Sequence, residues 1–369
     1  MKIKIPLAKP YIDKADRAGI DKVLKSGILA LGPRLEKFEQ HFANYLGVKY
    51  TCGASSGTAG LHIAVKTLGI GKRDEVITSP FSFIASSNCL LYEGAKPVFV
   101  DIDKTSFNID PTKIEKAVTK KTKAILVVHV FGQSADMDRI LQIAKAYKLK
   151  IIEDACESLG SSYKNKKTGT LGDVGVFAFY PNKQITTGEG GIITTNSKSV
   201  YELSLSLRNQ GRNLNNNWLT HDRLGYNYRM DEMSASLGVT QLKKLEWMIA
   251  EKAKIASLYN KYLSDIKSVI LPKTVKGNTH SWFVYVIRII NGGRDQVMNA
   301  LLKRGIQTKA YFPVIHLQPF MKKKFGYRKG DFPVSEKISS ETLALPLYIG
   351  LKESDVRFIS QTIKIALSI

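Results

Sequence analysis

The chain has 369 residues, 44% hydrophobic and 24% charged, an ordinary globular composition that excludes disorder, coiled coil and collagen. Lys and Arg total 55 against 32 Asp and Glu, a net charge of +23. The lysines are scattered, and the clustered arginines and interleaved aromatics of a nucleic-acid-binding face are missing, so the charge reads as a basic solvated surface.

The first residues hold no apolar core long enough for a signal peptide, and no run approaches the ~20 apolar residues of a membrane helix. Cys52, Cys89 and Cys156 lie far apart with no Cys-x-x-Cys pair. Neither a disulfide framework nor a metal site is expected, and a reducing cytoplasm fits. From residue 50 to 195, apolar runs of strand length alternate with helical patterns. Strands are predicted at 75–77, 97–100, 124–130, 150–153, 175–179 and 191–194, and helices at 58–68, 85–92, 112–118 and 137–147. The strand runs are continuously apolar, the mark of strands covered on both faces. The alternation implies a largely parallel sheet between helix layers. No helical pattern separates 175–179 from 191–194, so a hairpin-like segment is expected there. A long helical pattern follows from 230 to about 266, then strand-like runs (the clearer at 282–290) and a helix near 295–303. Pro313, Pro319 and Pro346 space a stretch that excludes regular helix. Residues 1–250 read as a large domain and 251–369 as a smaller α+β domain.

In open parallel sheets ligands bind beyond the carboxyl ends of the strands, and three segments there carry chemistry. Residues 53–60, Gly-Ala-Ser-Ser-Gly-Thr-Ala-Gly, run into a helix, where close-approaching amides and the helix N-terminus suit a phosphate. An ordinary Ser/Thr helix cap explains the same residues. The second is Glu153-Asp154 at the end of a buried strand. A carboxylate there needs a cation, such as a protonated ring nitrogen, or else caps the next loop. The third is Lys183, which follows an aromatic strand and precedes Gly188-Glu189-Gly190-Gly191. A desolvated lysine is free for Schiff-base chemistry, although a lone lysine is usually a surface residue. An anion cup, a pyridinium partner and an aldehyde-capturing amine are together what pyridoxal phosphate requires. His129, inside Val127-Val128-His129-Val130, reads as structural.

Read in order, Gly32-Pro33, Ser56-Gly57-Thr58, Gly94 to Asp101, Glu153-Asp154-Ala155, Lys183, Gly188 to Gly191 and Gly225 to Met230 resemble the DegT/DnrJ/StrS-type family of nucleotide-sugar aminotransferases. The likeness covers most of the chain. It implies the α/β fold of the type I pyridoxal 5′-phosphate transferases, a mostly parallel sheet sandwiched by helices with a smaller C-terminal α+β domain. It implies that Lys183 forms the Schiff base and shuttles the proton, and that Asp154 holds the ring nitrogen protonated. Gly57 and Thr58 would bind the phosphate, Phe83 would stack on the ring and Glu157 would meet the ring hydroxyl. Asn227 would reach across a homodimer interface, with Arg229 and His316 at the sugar-nucleotide site. Phe83 also reads as core, Arg229 as the partner of Asp231 or Glu232, and His316 as ordering its Pro-rich loop.

Two departures stand out. Ala178 occupies a position where many relatives have a phosphate-binding Ser, and Glu157 stands where Gln or His is usual. Related sugar dehydratases carry His in place of the lysine, so Lys183 points to amino transfer. The implied reaction moves an amino group from glutamate to a keto-sugar on a nucleotide, with C4 of a hexose favoured. A C3 keto-sugar, a cyclitol or a non-catalytic cofactor-binding regulator are the alternatives. The loops at 209–223, expected to be mobile, and 311–319 would set the substrate.

Overall fold

The computed structural model describes residues 3–214 and 219–368. Two helices absent from the predicted elements come first, α1 (Lys14–Ser26) and α2 (Pro33–Leu46). Asp13 caps α1 through the amides of Ala15 and Asp16, and the Asp16 side chain returns a bond to the amide of Asp13. Pro33 opens α2, and Gly47 ends it with the positive φ that glycine takes freely.

The central sheet is built from β1 (Tyr50–Ala54), β2 (Glu75–Thr78), β3 (Lys96–Phe99), β4 (Thr122–Val128) and β5 (Lys150–Asp154). Between them lie α3 (Gly57–Thr67), α4 (Ala85–Tyr92), α5 (Ile114–Ala117) and α6 (Met137–Tyr147). A small hairpin, β6 (Ser162–Tyr163) with β7 (Lys166–Lys167), precedes β8 (Val174–Ala178) and β9 (Gly191–Thr195). The seven-stranded order is β1-β9-β8-β5-β4-β2-β3, with β9 antiparallel to both neighbours and every other pair parallel. The hairpin-like segment anticipated before residue 195 is therefore the β8–β9 pair. Apolar side chains cover both faces: Val76, Leu126, Ile152 and Val176 on one, Ile77, Ile125, Val127 and Ile151 on the other. Helix α3 lies so close to the sheet that a Cβ on Gly60 would come within 2.8 Å of Val176 Cγ1.

Then follow α7 (Lys198–Arg208), α8 (Glu232–Leu242) and α9 (Leu245–Leu263). The single helix expected from 230 to about 266 is thus two. The break falls where Lys244 leaves the helical course to reach Asp13 at 2.9 Å and Asp16 at 2.6 Å. The C-terminal unit holds β10 (Val269–Ile270), β11 (Tyr285–Ile289), α10 (Arg294–Lys303), α11 (Pro319–Phe325), α12 (Pro333–Glu341), β12 (Thr342–Leu345) and α13 (Glu353–Leu367). Its three strands, ordered β10-β11-β12, share a core with α9, α10 and α13. Pro319, expected to exclude helix, instead opens α11, because a first-turn residue needs no amide donor. Residue 250 falls inside α9, and the N-terminal residues reach the C-terminal unit, with Ile5 bridging Ile306 and Leu7 accepting the amide of Leu347. Part of the loop expected to be mobile, residues 215–218, lies outside the described residues, and Arg212 bridges His221 across its base.

Candidate active site

The cup forms where β1 turns into α3. Ser56 Oγ accepts the amide of Ala59 at 3.1 Å and closes the cap. The amides of Gly57 and Thr58 are left without an acceptor among the described residues. A Cβ on Gly57 would sit 2.5 Å from Ala178 Cβ and 3.1 Å from Cys156 Sγ, so glycine lets the helix start directly on β8. The cap and the cup coexist, because Ser56 caps while the next two residues stay free.

Asp154 ends β5 in register with Val128 and Val176. It is buried, its Oδ1 accepts the amide of Cys156 at 3.2 Å, and burial pushes its carboxyl pKa up. Lys183 sits in the loop after β8, where its amide donates to Tyr180 O at 2.9 Å and Thr187 N–H returns to Phe179 O at 2.9 Å. Its Nζ lies 3.9 Å from Glu157 Oε1 and 4.2 Å from the centre of the Phe283 ring. Glu157 is buried, and its Oε2 accepts the amide of Phe131 at 3.0 Å. Burial pushes its carboxyl up to about 7 against the pull of Lys183.

Gly57, Thr58, Phe83, Asp154, Glu157 and Lys183 line one cavity of about 490 Å³, within the usual range for a small-molecule site. Phe83 is 61% exposed at its edge, which removes the alternative that it is core. The other sequence candidates are not brought to the cavity. Asn227 is exposed on the strand-like segment that bridges Asn209, and Arg229 Nη1 donates to Asn209 Oδ1 at 3.0 Å rather than pairing with Asp231 or Glu232. His316 is a correction: it is fully buried, with Nε2 3.0 Å from Glu336 and its ring edge-on to Phe332, so it does not reach a ligand in the cavity. Tyr311 and Phe312, from the loop expected to set the substrate, line the same cavity with Asn182, and so do Tyr180 and Phe283, which sequence reasoning missed. The signal for Phe283 was its place in the apolar strand-like run at 282–290, where an aromatic reads as core.

These groups are what a phosphorylated pyridine aldehyde demands: free amides for the phosphate, an under-paired buried carboxylate for a protonated ring nitrogen, and an amine for the aldehyde. A family model described as the DegT/DnrJ/EryC1/StrS aminotransferase family matches residues 10–364. The chain belongs to that family. It is 37% identical to a GDP-perosamine synthase of Caulobacter vibrioides, over 96% of this chain and 95% of that protein. It is 36% identical to the spore coat polysaccharide biosynthesis protein SpsC of Bacillus subtilis, over 98% and 96%. The solved structure of DesV from S. venezuelae superposes with a TM-score of 0.92 at 31% identity, covering 99% of both chains.

The protein is therefore a sugar aminotransferase of the DegT/DnrJ/EryC1/StrS family, dependent on pyridoxal 5′-phosphate. The family's cofactor fits the residues present. Gly57 and Thr58 would hold its phosphate, Asp154 its ring nitrogen and Lys183 its aldehyde carbon. Among the described residues no helix is long and apolar enough to cross a membrane.

Proposed function

We propose that the enzyme transfers an amino group from glutamate to a nucleotide-linked 4-keto hexose. The observation that carries the transfer chemistry is the convergence of Lys183, Asp154 and the Gly57–Thr58 cup on one cavity. Nucleotide linkage is supported by the relatives named for GDP-perosamine synthesis. Glutamate and the 4-keto position come from the sequence resemblance.

When bound, pyridoxal phosphate supplies an aldehyde that captures amines and a ring that accepts the electron pair released at the substrate carbon. Lys183 Nζ then takes the proton from the substrate carbon and returns it on the other side of the transfer. Asp154 keeps the ring nitrogen protonated, an interaction strengthened by the water-poor end of β5. Phe83 would lie against the ring face, and the amides of Gly57 and Thr58 would anchor the phosphate. Phe283 and Tyr311 wall the cavity from the C-terminal unit and exclude water from Lys183. Arg229, hydrogen-bonded to Asn209 outside the cavity of its own chain, is proposed as a substrate-binding group.

Asn227, exposed and outside the cavity of its own chain, is read as reaching a partner's phosphate in a homodimer. A cytoplasmic enzyme feeding polysaccharide synthesis fits the reading.

The test is incubation of the cofactor-loaded enzyme with glutamate and a panel of nucleotide-linked 4-keto and 3-keto hexoses. Amino-sugar and 2-oxoglutarate should appear in equal amounts with a 4-keto substrate. Amination of only a 3-keto sugar would move the reacting carbon, and no exchange with any of them, followed by amination of a keto-cyclitol in a second panel or by none at all, would point to the cyclitol or the regulator reading.

A further inference from the structure

Lys252 is a buried cation that the mechanism leaves unused. It sits on α9 between Met248, which packs in the cluster of Phe42 and Phe177, and Ile255, in the core of the C-terminal unit. It is 7% exposed, and burial pushes its amine down to about 8, so at neutral pH it still carries its proton. The acids around it are taken. Asp13 and Asp16 hold Lys244 at 2.9 and 2.6 Å, and Glu251 holds Lys254 at 2.6 Å. Among the described residues Lys252 has no acceptor, a state that a buried ammonium does not tolerate.

The matching gap lies on the catalytic loop. Gln184, next to Lys183 and 4% exposed, donates from Nε2 to Glu157 O at 2.5 Å and to Ser281 Oγ at 2.9 Å. Ser281 donates its own amide to Gly132 O at 2.9 Å. One side-chain amide thus clamps the Lys183 loop to the turn after β5 and to the C-terminal unit. Gln184 Oε1 is buried and has no donor among the described residues. Gln184 and Lys252 line the same chamber of about 20 Å³, which residues 183–186 wall on one side. That is room for one water. Other groups on its wall are engaged: Thr186 Oγ1 donates to Phe179 O at 3.0 Å, and Gln241 Nε2 to Tyr11 O at 2.9 Å. Lys9 is exposed and Tyr11 half-buried, so solvent serves both. A donor without an acceptor and an acceptor without a donor therefore share one small polar space.

We infer that one internal water joins Lys252 Nζ to Gln184 Oε1, and that Lys252 is thereby a positioning residue for Lys183. The inference rests on Lys183 being the amine that meets the cofactor. The water accepts from the ammonium and donates to Oε1, which holds Nε2 on Glu157 O and Ser281 Oγ. Without that donor Oε1 would stay unpaired in the interior, and the side chain would give up both bonds to reach solvent. The Lys183 loop would then lose its tie to the C-terminal unit. Its Nζ would lose its fixed place 4.2 Å from the ring of Phe283, which follows Ser281 by two residues. Lys252 on α9 thus ties the joint between the two units to the placement of the reacting amine.

A crystal structure of the cofactor-loaded enzyme should show one water about 2.7–3.1 Å from both atoms. No water there, or a Lys252 amine bonded elsewhere, overturns the inference. Kinetics read the positioning. Gln184→Leu and Lys252→Met should each lower kcat about 10- to 100-fold, with KM for donor and acceptor changed by less than about twofold. Each should also shift the pH at which the absorbance of the Lys183–cofactor adduct changes, and the double variant should match the more impaired single one. A purely structural role would lower the folded fraction and leave that titration where the parent has it; this outcome overturns the inference, and so do additive effects. Should one variant fail to fold, the water in the parent and the adduct titration of the other variant decide. A parent in which borohydride traps no cofactor on Lys183 overturns the cofactor reading instead, and a crystal of the cofactor-free protein still tests the water.

Discussion

Glu153 and Asp154 are consecutive residues of β5, and their side chains leave opposite faces of the sheet. Both are buried. On the rear face Glu153 is answered from every side. His129 Nε2 lies at 2.8 Å, and the amides of Gly169, Leu171 and Gly172 lie at 2.8, 2.6 and 2.6 Å. The amide of Ala135 donates to His129 Nδ1 at 3.1 Å, so the ring proton sits on Nε2 and goes to Glu153. On the cavity face Asp154 meets Cys156 and little else within hydrogen-bond reach. The same residue chemistry at the same depth thus makes a strut on one side and a carboxylate with acceptor capacity turned to the cavity on the other. Burial by itself identifies neither; the count of donors does.

Removing groups from each face separates the two. Lys183→Ala should lower the amination rate by at least about 10⁴-fold, while the melting temperature of the cofactor-free protein barely moves. Substantial turnover by that variant would remove the amine from the mechanism. Glu153→Ala should destabilise the protein by about 3–5 kcal/mol, because His129 and three amides lose their acceptor in a dry interior. Denaturant unfolding measures it, and a midpoint equal to the parent's would show that the rear face is not braced through Glu153. Asp154→Asn should reverse the pattern, with activity down about 10²–10³-fold and stability changed by less than about 1 kcal/mol. A stability loss matching that of Glu153→Ala would place Asp154 among the struts.

What the sequence reveals follows from how local each signal is. The parallel strands are legible because runs such as Ala124 to Val128 are apolar on both faces. The cup, Asp154 and Lys183 are legible because each directly follows a strand. β1 is not, since Tyr-Thr-Cys-Gly-Ala lacks the β-branched aliphatic run and is strand only by pairing with β9. α1 buries just Asp16 and Val23, too thin a stripe to mark a helix. Phe283 and Tyr311 come from the distant C-terminal unit, and an aromatic at a strand start or before a proline looks like core. His316 carried two readings, a substrate contact and a loop-ordering group, and local sequence could not separate them because Glu336 and the Phe99–Met321 cluster that hold it inside come from elsewhere in the chain.

The smallest effect tests the cavity face without the cofactor. In the folded chain burial pushes the Glu157 carboxyl to about 7, against about 4.3 for an exposed glutamate. The folded state therefore holds this proton more tightly than the unfolded state. The stability it contributes is complete below the unfolded value and is lost as pH rises through the folded one. Between pH 5 and pH 6 the parent should lose about 1 kcal/mol relative to Glu157→Gln, whose side chain does not titrate. Asp154, also shifted upward, is present in both proteins. A difference curve flat over that interval would mean that Lys183 at 3.9 Å compensates Glu157 fully in the free protein. The front face would then be paired like the rear, and the contrast drawn from β5 would reduce to Asp154 alone.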